Sequence, residues 1–528
     1  MITLITLLQN EGPCLSSRLA ELLVTAQSIS PESARKMISR AVRSGDISSI
    51  KNVFPKREHF VYCSGSYGSE TFWNSLTSEL IRSGSAIGLA LSALAARGGI
   101  VPVEHFGAAS GSPLAMKKKL SFRTVYERLI SIGLCREITL PGVGDCIALK
   151  ERDEKRYDHV SRQVKGRLVT EAVFIAALVQ WAQNLNLVSY DSVRTRSDGA
   201  AEMAAVSNYL FDITAPSYLS PLLTATPSGS KPGFFACDVL LGSVVTLTQA
   251  QPFIAKCKSL RSLSNVGRTL FIFAASQFEK EAFHELKRYG IIPATPENLF
   301  GMEVSRSLHE LNQFLDFYFD RASGNTEKID SIMTSLAHIQ GASAQLQGAL
   351  FEYLVAEIVR QEGGDVEIGR ICRAQNGKKA ESDVCVKIRH REVRYIECKG
   401  YKPYSEVRHE DIRHWIGHQI PVFRDQARTD YPDARVIVEL WTTGKLSAES
   451  RGALDQVIKD NEIRRRCEIR VLEAHDVRQQ FLDSRNKNLI AVFEKHFAKT
   501  YFAKTSGPEV YEAYRLAAGP DYIFEDLG

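Results

Sequence analysis

The sequence predicts a multidomain protein, with α+β modules at its N-terminal end followed by α/β domains built on mixed sheets flanked by helices. Three observations carry that expectation. At 528 residues the chain exceeds what one hydrophobic core can fill. Helical runs followed by short hairpins occupy residues 1–150, with a surplus of basic side chains. Beyond them, the order helix, hairpin, strand, helix, strand occurs twice.

Residues 1–65 begin with two helical runs, 2–9 and 15–25, and continue into "SPESARKMISRAVRSGDI". In that stretch Ser30 serves as N-cap, Pro31 takes the first helical position and Gly45 ends the helix. Two short β runs around a basic turn follow in "ISSIKNVFPKREHFVYC". Three helices and a hairpin wing make a winged helix. Its third helix is the groove-entering one, and Arg35, Lys36, Arg40 and Arg43 give it charge for phosphate and base contacts. The same charges would also suit a solvated face on a protein-binding module.

The pattern recurs over 72–150, with helices at "TFWNSLTSELIR", "AIGLALSALAARG" and "FRTVYERLISIG" and a wing at "LCREITLPGVGDCIALK". This reads as a second winged-helix-like domain. Lys117, Lys118 and Lys119 precede its third helix, where three ammonium groups could straddle a phosphate backbone.

Residues 151–170 are densely charged and read as a helical connector. The α/β domain expected over 168–301 starts with the helix "LVTEAVFIAALVQWAQNL" and a polar loop around 213–232. A hairpin of "FFACDVLL" and "SVVTLTQAQ" comes next, then "RTLFIFAAS", a helix and "IIPAT". A larger domain over 327–500 shows the same order, from the helix "SAQLQGALFEYLVAEIVRQEGG" to the last helix "VRQQFLDSRNKNLIAVFEKHF".

Charge is unevenly placed. Residues 1–150 hold 17 Lys+Arg against 11 Asp+Glu, whereas the rest of the chain is nearly balanced at 49 against 50. That asymmetry suits a polyanion-binding end joined to something else. The longest apolar runs are broken by charges or amides before reaching the roughly 18 residues of a membrane span, and "MITLITLLQNEG" has no leader pattern. The 10 cysteines contain no CxxC pair, which suits a reducing cytoplasm and argues against structural zinc.

The chemistry concentrates in "DVCVKIRHREVRYIECK". Asp383 begins one strand-like run, and the period of two puts Tyr395, Glu397 and Lys399 on a single face of the next. Two carboxylates a few ångström apart repel each other as anions, and a divalent cation taking oxygen ligands from both relieves that repulsion. Mg²⁺ suits such ligands, with Mn²⁺ an acceptable substitute. Lys399 can orient a water or stabilise charge on a phosphate under attack. Glu352 joins from the preceding helix, at the edge of the apolar stripe of Leu350, Phe351, Leu354, Val355 and Ile358.

In the order Glu352 on a helix, "SDV" with Asp383, then "IECK" with Glu397 and Lys399, residues 330–475 resemble the PD-(D/E)XK nuclease superfamily, the restriction-endonuclease-like fold. Ser382 stands where the motif's name has Pro. The resemblance implies that Asp383, Glu397 and Glu352 bind Mg²⁺ with the carbonyl of Cys398, and that Lys399 assists the attacking water. It also implies a polar residue on the following helix, with His414, Gln419 and Gln426 as candidates.

Set against this hairpin, residues 168–301 read either as a degenerate copy or as an unrelated α/β module with a similar element order. Asp238 is matched to Asp383, Pro252 to Pro403 and Glu171 to Glu352, with Thr and Gln at the E-x-K positions. The expected function is a Mg²⁺-dependent DNA endonuclease, its DNA delivered by the winged helices, in restriction or anti-phage defence. A double-strand break would require a homodimer or two successive nicks. The alternatives are a DNA-binding regulator with a non-catalytic nuclease-like scaffold, and a nuclease acting on RNA or branched DNA.

Overall fold

The computed structural model describes residues 4–498, apart from 52, 55–57, 151–155, 197–202, 227–228, 319–325, 338–341, 389–390, 402–404 and 464–466. The chain divides into two compact units between Leu315 and Asp316. Each contains a five-stranded mixed sheet flanked by helices.

In the first unit, α1 (Leu4–Glu11), β1 (Cys14–Leu15), α2 (Ser16–Gln27), α3 (Pro31–Ser44), β2 (Ser48–Ile50) and β3 (Phe60–Tyr62) form a three-helix module with an antiparallel sheet in the order β1-β3-β2. The local sequence explains α3. The Ser30 hydroxyl accepts the Ser33 N–H at 3.2 Å, Pro31 fills the first turn, and Gly45 takes φ +85° to end the helix. A similar order follows in α4 (Glu70–Arg82), α5 (Ala86–Ala96), β4 (Ile100–Pro102), α6 (Val103–Ala109), α7 (Phe122–Ser131), β5 (Cys135–Leu140) and β6 (Gly144–Leu149). Strand β4 and helix α6 had no counterpart in the sequence reading. The two segments share one apolar cluster, in which Phe60 meets Phe72 edge-on at 5.9 Å.

The charged connector and the apolar helix expected after it are one continuous helix, α8 (Arg156–Asn184). After it come β7 (Arg194–Thr195), the small hairpin β8 (Ala205–Val206) and β9 (Tyr209–Leu210), then β10 (Ile213–Ser217). A second small hairpin pairs β11 (Thr224–Thr226) with β12 (Gly229–Lys231). The order then runs β13 (Gly233–Val245), α9 (Leu247–Arg261), β14 (Thr269–Phe278), α10 (Lys280–Arg288) and β15 (Ile292–Ala294), with α11 (Pro296–Phe300) and α12 (Met302–Tyr318) last. The sheet order is β15-β14-β13-β10-β7, antiparallel from β7 to β13 and parallel from β13 to β15.

The hairpin expected over 234–251 does not form. Residues 233–245 are one strand, bulged where the register shifts between Leu240 and Val244, with Gly242 at φ +90°. The "TLTQAQ" read as its second arm starts a helix instead. Thr246 and Gln249 close a capping box there, and a reciprocal pair of cap bonds outweighs the β-branched run before it.

The second unit starts with α13 (Thr326–Ala337) and α14 (Ala342–Arg360), followed by β16 (Asp365–Arg373), β17 (Lys379–Ile388) and β18 (Glu392–Lys399). Helices α15 (His409–His414) and α16 (Ile420–Asp430) are joined by a π turn at Trp415–Gln419. Strand β19 (Arg435–Thr442), α17 (Ala448–Ile463), β20 (Glu468–Leu472), α18 (Ala474–Asp483) and α19 (Lys487–Phe493) complete it. Its order, β16-β17-β18-β19-β20, is antiparallel up to β18 and parallel beyond. Helix α14 lies against this sheet because its stripe of Leu350, Phe351, Leu354, Val355 and Ile358 is buried, as the periodicity requires. Eight of the ten cysteines are buried and pack as small hydrophobes. Among the described residues, no helix is long and apolar enough to cross a membrane.

Candidate active site

The register of β17 on β18, with Val384 opposite Ile396 and Cys385 opposite Tyr395, sets Asp383 directly across from Glu397. Directly opposed side chains share a face of the sheet, with Cβ atoms about 5 Å apart. Lys399, two residues on, shares that face, and its Nζ stands 2.9 Å from Glu397 Oε1. Asp383 Oδ2 accepts the Cys398 N–H at 2.6 Å, which pins the first acid to the backbone beside the second.

Among the three candidates on the following helix, Gln419 is the one that reaches Glu397. At the end of the π turn, its Nε2 donates to Glu397 Oε2 at 3.0 Å and to the Glu381 carbonyl at 3.3 Å. Local π geometry shifts a helix face by part of a turn, and here it turns an amide onto the sheet. Gln426 lies elsewhere, accepting the Arg373 N–H at 2.7 Å. The His414 ring pairs with that of His418 at 4.9 Å, and burial, His418 and Lys399 together hold it below its ordinary pKa.

Burial, and secondarily the charge of Asp383, push the Glu397 carboxyl up to about 8, although Lys399 and Gln419 pull the other way. Lys399 moves in the opposite sense. Burial lowers its pKa, but Glu397 and Asp383 outweigh that and leave it above the ordinary lysine value. Glu352 is on α14 and half-buried. Burial first, then the charges of Asp383, Glu352 and Glu397, raise the Cys398 thiol well above its usual pKa.

A hard divalent cation fits this donor set. A buried carboxyl with a raised pKa beside a second carboxyl is a pair in which both anions are unstable together, and such a pair gains most from a cation. Among the described residues, no three His, Cys, Asp or Glu side chains gather closely enough to hold an ion by themselves. Mg²⁺ does not require that, since it keeps several waters and takes one or two carboxylates.

The basic residues divide by surroundings. Arg35, Lys36, Arg40 and Arg43 are all exposed on α3, opposite its buried Ala34 and Ile38. Arg35 and Arg43 line a groove with Lys51 and His59, while Lys36 is paired with Glu32 at 2.7 Å. Lys117 and Lys118 are exposed in a turn. Lys119 points its ammonium into its own unit, donating to the Tyr209 hydroxyl at 3.3 Å and to Ser259 Oγ.

In the first-unit sheet the expected correspondence is displaced by one strand. Asp238 is on β13, the third strand of its sheet, as Glu397 is on the third strand of the other. It therefore corresponds to Glu397 and not to Asp383, and the E-x-K positions hold Asp238 and Leu240 instead of Thr and Gln. The second strand, β10, falls in the stretch read as a polar loop, and Asp212 just before it was missed. Its signal was the lone acid in the apolar run "NYLFDIT". Pro252 lies within α9, and Pro403 is outside the described residues.

No known protein family matches the chain, and no curated protein does. Among solved structures, a crystallised protein of unknown function, AF1548, is 17% identical over 23% of this chain, with a TM-score of 0.17. The chain spans 55% of that protein's length. The restriction endonuclease FokI is 11% identical over 92% of this chain and 82% of its own, also with a TM-score of 0.17. At that score, neither likeness carries an argument.

Proposed function

We propose that this protein is a divalent-cation-dependent phosphodiesterase acting on DNA, with its chemistry on the face of β18 that carries Glu397 and Lys399. The observation behind this reading is the set Asp383, Glu397 and Lys399, gathered by strand register on one face with Glu397 buried. Burying Glu397 beside a second acid near a strand end is costly for a plain hairpin. Asp383 and Glu397 would hold Mg²⁺, with the Cys398 carbonyl and Glu352 as further oxygen donors. Bound there, Mg²⁺ would lower the pKa of a water and polarise the phosphate.

The remaining steps fall to the chain. Lys399 is held as an ammonium by the two acids beside it, so it cannot take a proton from water at neutral pH. It acts instead as a fixed positive charge, stabilising the phosphate oxygens as the water oxygen bonds to phosphorus and the ester oxygen departs. The proton leaves to solvent. Gln419 orients Glu397 by occupying its second oxygen.

Residues 4–62 have the element order of a winged helix, and we read α3 as its DNA-contacting helix. Restriction or defence is the biological setting we favour for such a pairing. The test is plasmid DNA incubated with Mg²⁺, with EDTA, and with Lys399→Ala. Cleavage in the first condition alone supports the reading, and equal cleavage by the Lys399→Ala protein refutes it.

A further inference from the structure

The two sheets have the same strand order and directions, antiparallel across three strands and then parallel across two. Their acids correspond in detail. The register of β10 on β13, with Ile213 opposite Cys237, sets Asp212 across from Asp238 as Asp383 is set across from Glu397. Asp212 Oδ2 accepts the N–H of Val239, the residue after Asp238, at 2.7 Å; the matching bond from Cys398 to Asp383 is 2.6 Å. The helix before each sheet adds an acid, Glu171 on α8 and Glu352 on α14. The helix after each third strand reaches the second acid, with Lys256 2.5 Å from Asp238 and Gln419 3.0 Å from Glu397.

Three differences separate the two centres. Leu240 stands where the second unit has Lys399. Arg196 stands opposite Asp212 and binds Glu171 at 2.7 Å and Asp212 at 3.3 Å, whereas the position opposite Asp383 is Gly369, at φ +69° and without a side chain. The first centre is also sealed. Lys256 is 0% exposed, with further bonds to the Ala108 and Leu210 carbonyls, and Arg196 is 6% exposed, against 28% for Lys399. Its three carboxylates face Arg167, Arg196 and Lys256, so charge is balanced by side chains. In the second unit, Lys399 pairs with Glu397 at 2.9 Å on the face that Asp383 shares.

We infer that the first unit carries a latent cation site of the same build, filled by the Arg196 guanidinium and the Lys256 ammonium, so that it takes up no metal in the native protein. The comparison rests on reading the second centre as a cation site, and the test separates the two claims. Mn²⁺ is titrated by electron paramagnetic resonance into the full chain, into Asp383→Asn/Glu397→Gln, and into that double variant carrying Arg196→Gly and Lys256→Met as well.

The wild type is expected to bind Mn²⁺ and the double variant to bind none, whereas the quadruple variant should regain a single Mn²⁺ that Asp212→Asn removes. Should the wild type bind no Mn²⁺, the reading of the second centre fails while the quadruple variant still tests the first. Mn²⁺ bound by the double variant and lost with Asp212→Asn would overturn the inference, because the native first centre would then take up metal. A folded quadruple variant that binds no Mn²⁺ would overturn it as well. If the quadruple variant unfolds in buffer, the inference requires millimolar Mn²⁺ to restore its circular-dichroism signal, and failure to do so overturns it.

Discussion

The first-unit and second-unit sheets hold carboxylates at the same ladder positions, yet in one centre the neutralising cations are sealed from solvent and in the other Lys399 is 28% exposed. Asp212 and Asp383 even make the same bond to the backbone beside the opposing acid. What separates the centres is a handful of side chains around that shared frame: Arg196 against Gly369, Lys256 against Gln419, Leu240 against Lys399. An acid pair on a strand ladder is therefore not a reactive centre by itself. Its chemistry depends on what neutralises it and on whether solvent can reach the neutralising group.

The largest effect that could break this contrast is on cleavage. Lys399→Ala removes the ammonium that stands 2.9 Å from Glu397, and loss of a charge aimed at a transition state costs on the order of 10²–10³-fold in rate. Lys256→Met, in the sealed centre, should leave cleavage unchanged in molecules that remain folded. Single-turnover cleavage of plasmid by each variant checks this, and a reversed ranking would place the chemistry in the first unit.

Stability should show the opposite ranking. Arg196→Ala takes from buried Glu171 and Asp212 the guanidinium they share, and breaking a buried pair costs about 3–5 kcal/mol. Lys399→Ala should cost far less, because its side chain is 28% exposed and Glu397 can take up a proton near neutral pH. Hydrogen exchange read peptide by peptide suits a two-unit chain better than one global melt. Equal losses of protection around β13 and β18 would erase the contrast.

The sequence was most legible where local signals and long-range pairing agree. The capped helix α3, the apolar stripe of α14 and the strand β18 each depend on residues within a few positions, and each formed as expected. Asp383, Glu397 and Lys399 could be set together because a hairpin brings its own two arms into register. The first-unit centre could not be read that way. Its acids lie on strands separated by a long excursion, 217 to 233, so their pairing follows from tertiary contacts alone. The capping box at Thr246 also competed with a β-branched run and prevailed, which shifted the apparent alignment by a strand. Gln419 was one of three candidates, since a π turn leaves no trace in helical spacing.

A smaller effect tests the division of labour between binding and chemistry. Replacing Arg35, Lys36, Arg40 and Arg43 by Ala should weaken DNA binding on all sequences and flatten log K against log salt by about 0.9 for each phosphate contact removed. Since Lys36 is already paired with Glu32, its share should be the least of the four. Mobility-shift titrations at several salt concentrations give the slope. An unchanged slope would transfer the binding role away from α3, and the exposed Lys117 and Lys118 would be tested next.

The smallest expected effect is on pH dependence, and it reports on the second centre without any substrate. Glu397 has its folded pKa raised from 4.5 to about 8, so its contribution to stability is fully present below pH 4.5 and is lost as pH rises through about 8. Glu397→Gln carries no proton to lose. In EDTA, the variant should therefore gain on the wild type between pH 5 and pH 8 and gain nothing further above that, read as hydrogen-exchange protection around β18. Mg²⁺ should reverse the sign at pH 8, because only the anion gains from the cation and the amide does not. Lys399→Met should move the window upward, since it removes the charge that favours the Glu397 anion. A gap between variant and wild type that stays flat from pH 5 to pH 9 would mean that Glu397 titrates as an ordinary surface acid, and the contrast with the sealed first centre would lose its electrostatic basis.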